Sequence, residues 1–402
     1  MSWSTSKRTA RRAEFARGWR THHPFVLLAA IGLALLIFLP LTWLIADGAY
    51  VAIPEDRLLR EGGDDAVHIS YAVSLLKRHG PQELPVYLIG GSAMRESIVS
   101  EGALAHELAT KTGVMVEVHS LTGNSLTFAD DLAIIKNLPP SRGIVVIGVG
   151  LERFARPTDG TASALRSDLL LPSSSSLSSG FLGDSAKADT SPSSGLTSLT
   201  LLPGLVRYGV TYLNDHYADL LRVRWPRTQF VVHRYQRESS WSLARKRATI
   251  TAWAQSAGKS GGAFDQTFRS TSRALAMEVA AARAKGFTVL LVEQPFDLRP
   301  AGHQLDRVRN EYKSFCHSLT RQDRGVSYVD FSRRAGLASA DFHDLSHLIA
   351  SGWQKYQRQL AATLAAPLDC LVATRQRTLV ASTAHAGSEV CAALSSGSVA
   401  AQ

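Results

Sequence analysis

The chain has 402 residues, of which 45% are hydrophobic and 19% are charged. This composition excludes an intrinsically disordered protein and is sufficient for one large domain or two small ones. The formal net charge of +10 is divided between two separate basic regions, so it does not by itself indicate one surface for a nucleic acid.

The N-terminal region predicts a membrane anchor. Residues 1–24 form a basic leader, and residues 25–46 contain no charged side chain. A helix over that span would be about 33 Å long, enough to cross a hydrocarbon core of about 30 Å. Basic residues before the span and acidic residues after it predict a cytoplasmic N-terminus. The sequence therefore predicts a single-pass protein of the inner (cytoplasmic) membrane whose main domain is extracytoplasmic, in the periplasm.

A cleaved signal peptide is the competing interpretation of the same region. The apolar part of a signal peptide normally has about 7–15 residues, which is shorter than residues 25–46. The small residues Ala46 and Gly48 leave cleavage open. The long basic leader and the long apolar span favour an anchor that stays attached.

Five short β-rich runs follow, separated by helical patterns, and this alternation predicts an α/β fold with three layers, α/β/α, and about five mostly parallel strands. Reactive groups are then expected at the carboxyl ends of the strands. The strands are predicted at Pro85–Ile89, Val114–Leu121, Gly143–Val149, Phe287–Glu293 and Val326–Phe331. The helices are predicted at Ala93–Thr110, Ala129–Asn137, Thr267–Lys285 and Leu305–Arg321.

Residues 47–366 are predicted to form this one domain, which a Ser-rich insertion interrupts at about 157–202. A second basic region, with aromatic residues among its cations, runs from Arg222 to Arg247. A solvated basic face is favoured there over a site for an anionic polymer or a phospholipid surface. Residues 367–402 are rich in small residues and are predicted to be a disordered tail.

The three cysteines, Cys316, Cys370 and Cys391, do not stand at metal-ligand spacing with histidine, and the sequence predicts neither a metal site nor a cofactor. Cys370 and Cys391 could form a disulfide in an oxidising compartment. Three free thiols are an equally acceptable interpretation.

Two distant stretches together provide the residue types of a serine nucleophile site. "YLIGGSAMRES" at 87–97 ends a predicted strand with two glycines before Ser92, and "DLSH" at 344–347 places Asp344 three residues before His347. A serine hydroxyl needs a base to accept its proton, and that base needs a carboxylate to hold its tautomer. Ser92, His347 and Asp344 are the predicted nucleophile, base and orienting acid.

Other interpretations of these residues stay open. Ser92 could be the N-cap of the following helix, and Asp344 could cap a helix that begins near Leu348. Ser125 is the leading rival nucleophile, although it lacks the strand-Gly-Gly context. His343 is a weaker base because it lacks the Asp-x-x-His spacing, and His119 is predicted to be structural.

The order and position of the two blocks resemble the SGNH (GDSL-type) hydrolase superfamily. "IGGSAMRE" is similar to its nucleophile block, and "DLSHLIASGWQKY" is similar to its C-terminal block. The resemblance covers roughly Leu84 to Ala362 apart from the insertion. It implies an SGNH-hydrolase (flavodoxin-like) fold and ester chemistry at the serine.

The middle blocks of that superfamily supply the donors of an oxyanion hole. The resemblance implies that the N–H of Gly123 is one donor, and the N–H of Ser92 and the side chain of Asn124 could supply two more. The third block, usually Gly-x-Asn-Asp, reads "VVIGVGLERF", in which Gly148 or Gly150 can keep the turn but no asparagine follows. Such a donor contributes about 2.7–4 kcal/mol of transition-state stabilisation, so its loss must be compensated.

Two arginines are further candidates for binding the substrate or the oxyanion. Arg95 follows the predicted nucleophile, and Arg153 follows the third strand. Each could instead form a surface ion pair, with Glu96 or Glu152 as the acid.

Anchored extracytoplasmic proteins of this kind are similar to the teichoic-acid D-alanyl transfer protein and to polysaccharide O-acetylation proteins, which work beside a multipass membrane acyltransferase. The resemblance implies a serine esterase or O-acyltransferase that acts on an anionic or acetylated cell-envelope polysaccharide or glycopolymer through an acyl-enzyme on Ser92. The alternative is a non-catalytic anchored partner of a multipass acyltransferase or of a polysaccharide-export system. A lipase or phospholipase ranks lower, and no nucleic-acid partner is expected.

Overall fold

The computed structural model describes residues 65–155 except 125, and residues 239–381 except 260, 261 and 304. It also describes 25–26, 28–33, 35–36, 40, 49–52, 169 and 171. The predicted basic leader, most of the Ser-rich insertion, most of the second basic region and residues 382–402 lie outside this part of the chain.

The centre of the fold is a five-stranded parallel sheet in the order β2-β1-β3-β4-β5. The predicted α/β class is confirmed, and all of the strand pairs are parallel. The last strand is shorter than predicted because Phe331 is buried as the first residue of a short helix. The strands are β1 (Leu84–Gly90), β2 (Val116–Thr122), β3 (Ile144–Val149), β4 (Thr288–Glu293) and β5 (Val326–Val329).

Helices connect the strands. Those before β3 are α1 (Asp65–His79), α2 (Ser92–Arg95), α3 (Glu101–Thr112) and α4 (Phe128–Asn137). Those after β3 are α5 (Leu151–Ala155), α6 (Leu243–Lys259), α7 (Gly262–Ala284), α8 (Asp306–Gln322), α9 (Phe331–Arg334) and α10 (Ala350–Ala381).

Two apolar cores cover the two faces of the sheet. Alternate residues of a strand point to opposite faces, so Tyr87 and Ile89 of β1 join the core built with α1, α4, α7 and α8. Val86 and Leu88 join the other core, built with α3 and α10. The arrangement is consistent with three layers, α/β/α, and it leaves the carboxyl ends of the strands on one edge.

The region after β1 forms two helices where the sequence predicts one. Helix α2 ends at Arg95, and α3 begins after Ser100, whose side chain accepts the N–H of Ala103 at 2.9 Å. A Ser side chain at an N-cap satisfies a backbone donor that has no partner within the helix. This break between the two helices keeps α2 short. The turn that carries Ser92 is therefore not part of the longer helix α3.

The last helix corrects the boundary predicted for the tail. Helix α10 continues through Pro367 to Ala381. Leu368 is fully buried against the sheet, and Leu371 and Val372 pack around it. Residues 367–381 are therefore helical, because an apolar stripe in this short segment has a core to bury against, and residues 382–402 lie outside the described chain.

Two further findings concern the predicted insertion and the cysteines. Leu169 and Leu171, within the range predicted as a Ser-rich insertion, are buried in the core beside α7 and α8. Cys370 is disulfide-bonded, and Cys316 is a free, buried thiol. Residue 391, the predicted partner of Cys370, lies outside the described residues.

The described residues between 25 and 36 are helical, and their large apolar side chains are exposed, with Phe25 at 71% and Leu36 at 72%. Among the residues that the structure describes, no helix is both long and apolar enough to span a bilayer. Residues 37–39 and 41–46 of the predicted anchor lie outside that set.

Candidate active site

The structure brings the predicted nucleophile, base and acid into one hydrogen-bonded chain. Ser92 Oγ is 3.1 Å from His347 Nε2, and His347 Nδ1 is 2.8 Å from Asp344 Oδ2. The side chains of His347 and Asp344 are 17% and 15% exposed, so the group is sheltered but reachable. This is the arrangement in which an imidazole can accept the proton of a serine hydroxyl.

Ser92 is held by the turn from β1 into α2, and it does not act as a helix cap. Gly91 is the N-cap residue, and no side chain caps this helix. The N–H groups of Met94 and Arg95 donate to the carbonyl of Gly91 at 3.0 and 3.2 Å, which fixes the turn from the backbone alone. The hydroxyl of Ser92 is therefore directed to His347 and is not used by the backbone.

The predicted base and its acid, His347 and Asp344, lie on one short loop before α10. A bridge between Phe342 and Leu348 closes this loop, and the N–H of His343 donates to the carbonyl of His347 at 2.8 Å. The three-residue spacing of Asp344 and His347 thus falls inside a closed turn. This explains how "DLSH" can place both side chains on the same side of the loop.

Asp344 uses both carboxylate oxygens. Oδ1 accepts the N–H groups of Ser346 and His347 at 2.9 Å each, and Oδ2 accepts the ring N–H of His347. Burial by itself raises the pKa of Asp344, but these hydrogen bonds and the charge of His347 outweigh it and hold the pKa well below its ordinary value. Asp344 is therefore a permanent anion that fixes the imidazole tautomer.

Lys246, which the sequence placed in a solvated basic face, is instead buried under this loop at 1% exposed. Its ammonium donates to Asp297 Oδ2 at 3.0 Å and to the carbonyls of Ser339 and Phe342 at 2.8 and 3.2 Å. The N–H of Asp297 donates in turn to the carbonyl of Leu345 at 2.7 Å. Through these hydrogen bonds, Lys246 and Asp297 hold in place the loop that carries the predicted base, His347.

Gly123 and Asn124 lie at the end of β2, where the predicted oxyanion donors were expected. The N–H of Gly123 donates to the carbonyl of Gly90 at 3.2 Å, and the N–H of Asn124 donates to Asp65 Oδ2 at 2.7 Å. A Cβ atom on Gly123 would stand 3.0 Å from Asp65 Cβ, so packing against α1 also requires a glycine. The oxyanion role of this loop stays a prediction.

Arg95 is buried rather than exposed on the surface. Its guanidinium forms an ion pair with Asp65, and Nη2 lies 3.7 Å from Glu96 Oε1. That same Glu96 oxygen is 4.0 Å from His347 Nε2, and Glu96 is 2% exposed. Arg95 therefore balances an acid beside the base and ties α2 to α1.

Arg153 is buried in contacts with α4 and β3. Its guanidinium pairs with Asp131 at 2.7 Å, donates to the carbonyl of Gly148 at 2.7 Å and lies 3.8 Å from the centre of the Phe128 ring. Glu278 lies in the same buried group: its pKa is raised well above the ordinary value, first by burial and then by the charge of Asp131. These contacts make Arg153 part of a buried charge cluster behind β3.

The rival residues are placed as follows. Ser125 lies outside the described residues. The ring of His343 contacts the carbonyl of Ser239 through Nδ1 at 2.5 Å. His119 stacks on Tyr87 with 5.5 Å between ring centres, and burial lowers its pKa. Within the described chain, no group of three or more His, Cys, Asp or Glu side chains is arranged to hold a metal ion.

One residue at this edge of the sheet, Gln294, is not marked by any sequence motif. Gln294 follows β4 directly and is 6% exposed. Its N–H donates to the carbonyl of Val149 at 2.6 Å, and its side chain lies against Gly90, Gly148 and Gly150. The side chain of Gln294, which follows the neighbouring strand, therefore fills the space beside the glycines of the third block.

The fold and this geometry define the class of the protein: a parallel α/β protein with a serine, a histidine and an aspartate hydrogen-bonded at the carboxyl edge of its sheet. In comparisons with known proteins, no family model and no curated protein matches the chain.

Proposed function

We propose that the protein is a serine esterase or O-acyltransferase of the SGNH type that works through an acyl-enzyme on Ser92. The observation that carries the proposal is the hydrogen-bonded series Ser92, His347 and Asp344, with 3.1 and 2.8 Å between the interacting atoms. The strand order β2-β1-β3-β4-β5 supports it, because flavodoxin-like sheets have this order and place their sites at the carboxyl edge.

In the first half of the reaction Ser92 Oγ bonds to the acyl carbon, and His347 Nε2 takes the hydroxyl proton. The tetrahedral intermediate then collapses. The bond to the leaving oxygen breaks, and His347 returns the proton to that oxygen. Asp344 stays ionised throughout and stabilises the imidazolium.

In the second half a sugar hydroxyl or a water attacks the acyl-enzyme, again with His347 as the base. Attack by a hydroxyl forms a new ester and attack by water forms a free acid, and Ser92 is regenerated in both. The two outcomes share every protein group, so esterase and transferase are one proposal at this site.

The proposed substrate is a cell-envelope polysaccharide or glycopolymer, and the proposed location is the outer side of the cytoplasmic membrane. The basic leader before an uncharged span supports this, as do the exposed apolar side chains of the helical residues between 25 and 36. The disulfide at Cys370 is also typical of an oxidising compartment. A multipass membrane acyltransferase is the proposed source of the acyl group.

A non-catalytic partner with the same fold is the second candidate. It is favoured by the glycine at position 150, where an asparagine would be expected, and by that observation alone. A binding protein would not need the serine, the imidazole and the carboxylate to be hydrogen-bonded to one another, so the catalytic proposal is preferred.

The decisive test is Ser92→Ala, with Ser100→Ala as the matched control. Ser92→Ala should abolish hydrolysis of a chromogenic acetyl ester and labelling by a serine-directed phosphonate. Ser100 is a true helix cap, so its replacement should cost about 1 kcal/mol of stability and leave both signals in place. Labelling of Ser92→Ala at the wild-type level would refute the proposal.

A further inference from the structure

We propose that Gln294 supplies the side-chain donor of the oxyanion hole, from a strand different from the one that carries the third sequence block. This inference rests on the serine chemistry proposed above. β3 lies between β1 and β4 in the sheet, and Gln294 bonds through its own N–H to the end of β3. Its side chain crosses the end of β3 towards the turn that presents Ser92.

Three glycines leave the space for this side chain. A Cβ atom on Gly150 would stand 3.4 Å from Gln294 Cβ, and one on Gly148 would stand 2.5 Å from Gln294 Nε2. A Cβ atom on Gly90 would stand 2.9 Å from the same nitrogen. Gly90 has φ of 148°, a conformation that glycine adopts far more readily than other residues. The amide nitrogen therefore lies beside the last residue of β1, two residues before Ser92.

The amide nitrogen is buried without a partner. Within the described chain, Gln294 Nε2 has no hydrogen-bond acceptor, and Gln294 is only 6% exposed. Buried donors are nearly always hydrogen-bonded, so an exception calls for an explanation. A carbonyl oxygen bound beside Ser92 is an acceptor of the right type at the right place.

Several other donor groups near this edge are engaged elsewhere. The N–H of Gly123 donates to Gly90 and the N–H of Asn124 to Asp65. Arg153 is held by Asp131 and by the carbonyl of Gly148. Arg95 Nε and Arg153 Nε are also buried without a partner, but their guanidinium groups are held in ion pairs with Asp65 and Asp131. Gln294 Nε2, by contrast, lies beside the Gly90 turn with no acceptor.

The chemistry needs no change of protonation at Gln294. As Ser92 Oγ adds to the acyl carbon, the carbonyl oxygen takes up negative charge, and the proposed hydrogen bond from the Gln294 amide to that oxygen becomes stronger. Such preorganised donors act on the transition state more than on the bound substrate. Gln294 should therefore affect kcat much more than KM.

The first experiment compares Gln294→Leu with Gln357→Leu on full-length protein. Gln357 is equally buried, but its amide is satisfied: Oε1 accepts the N–H of Val99 at 2.7 Å, and Nε2 donates to Glu107 at 3.2 Å. Gln294→Leu should lower kcat for a chromogenic acetyl ester by about 10²–10³-fold, with KM and Tm held, because a donor without a partner is removed. Gln357→Leu should lower Tm and leave kcat near the wild-type value.

Gly148→Ala provides a second variant that keeps the glutamine. The added methyl group would occupy the space of the Gln294 amide nitrogen, so the glutamine side chain must move away. kcat should therefore fall although Gln294 is still present. Wild-type kcat in either Gln294→Leu or Gly148→Ala would overturn the assignment. A loss of Tm in Gln294→Leu as large as in Gln357→Leu, with kcat unchanged in the folded fraction, would make Gln294 a packing residue.

Phosphonate labelling separates this inference from the proposal on which it rests. If wild-type protein and Ser92→Ala are labelled equally, the serine mechanism fails and the role of Gln294 falls with it. If only wild type is labelled, the serine mechanism stands and the Gln294 and Gly148 variants decide the donor. Slower labelling of Gln294→Leu at unchanged Tm is the result expected.

Discussion

Replacing Lys246 by Met should destabilise the protein far more than any exposed lysine replacement. The ammonium is 1% exposed and satisfies Asp297 and the carbonyls of Ser339 and Phe342. Removing one partner of a buried ion pair leaves the other charge without compensation and costs about 3–5 kcal/mol. For a domain of this size, each kcal/mol lowers Tm by about 2–4 °C, so the expected loss is about 6–20 °C.

Thermal unfolding followed by circular dichroism measures this loss, with Arg247→Met as the matched control. Arg247 lies on the same helix and is exposed, so its replacement should change stability by no more than about 0.5 kcal/mol. The double variant Lys246→Met/Asp297→Leu should recover part of the loss, because no buried charge is then left unpaired. A Tm for Lys246→Met within 2 °C of wild type, on the scale of about 2–4 °C per kcal/mol, would refute the reasoning, as would a double variant less stable than the single one.

Two further results are expected. Asp344→Asn should lower kcat for ester hydrolysis by about 10⁴-fold, the loss typical of a Ser-His-Asp site whose histidine loses its anionic partner, and a kcat within about tenfold of wild type would contradict that role. Glu278→Gln should become more stable relative to wild type as pH rises: burial raises the pKa of Glu278, so the folded protein keeps a proton that the unfolded chain releases above about 4.5, and stability falls with pH from there upward. The difference in Tm between Glu278→Gln and wild type should therefore grow from about pH 4.5 to about pH 8, and a difference that does not change with pH would contradict this reasoning.

The sheet and the proximity of Ser92, His347 and Asp344 could be predicted from the sequence because local patterns indicate both. An apolar run that ends in Gly90 and Gly91 marks the end of a buried strand, and parallel strands end at one edge. The Asp-x-x-His spacing of Asp344 and His347 fits inside one short loop. Each of these features depends on residues that are close in the sequence.

The rest depended on contacts between distant segments. Lys246 is one cation in a basic run, and nothing in that run distinguishes it from the exposed Arg247 beside it. Gln294 follows its strand without a motif, and the glycines that make room for it, Gly90 and Gly148, come from two other strands. The prediction of one helix after β1 was wrong, because Ser100 caps a second helix. Packing on both sides of the break between the two helices supports this arrangement.

The proposed nucleophile and the proposed base are supported in different ways. Ser92 follows β1, an interior strand of the sheet, by two residues, so the sheet supports its position. His347 stands on a loop that Lys246 and Asp297 fasten through a few hydrogen bonds. Segments of one protein can open at different free energies. The 3.1 Å contact between Ser92 and His347 therefore connects the sheet edge to a loop, and we expect warming to break this contact reversibly before the sheet unfolds.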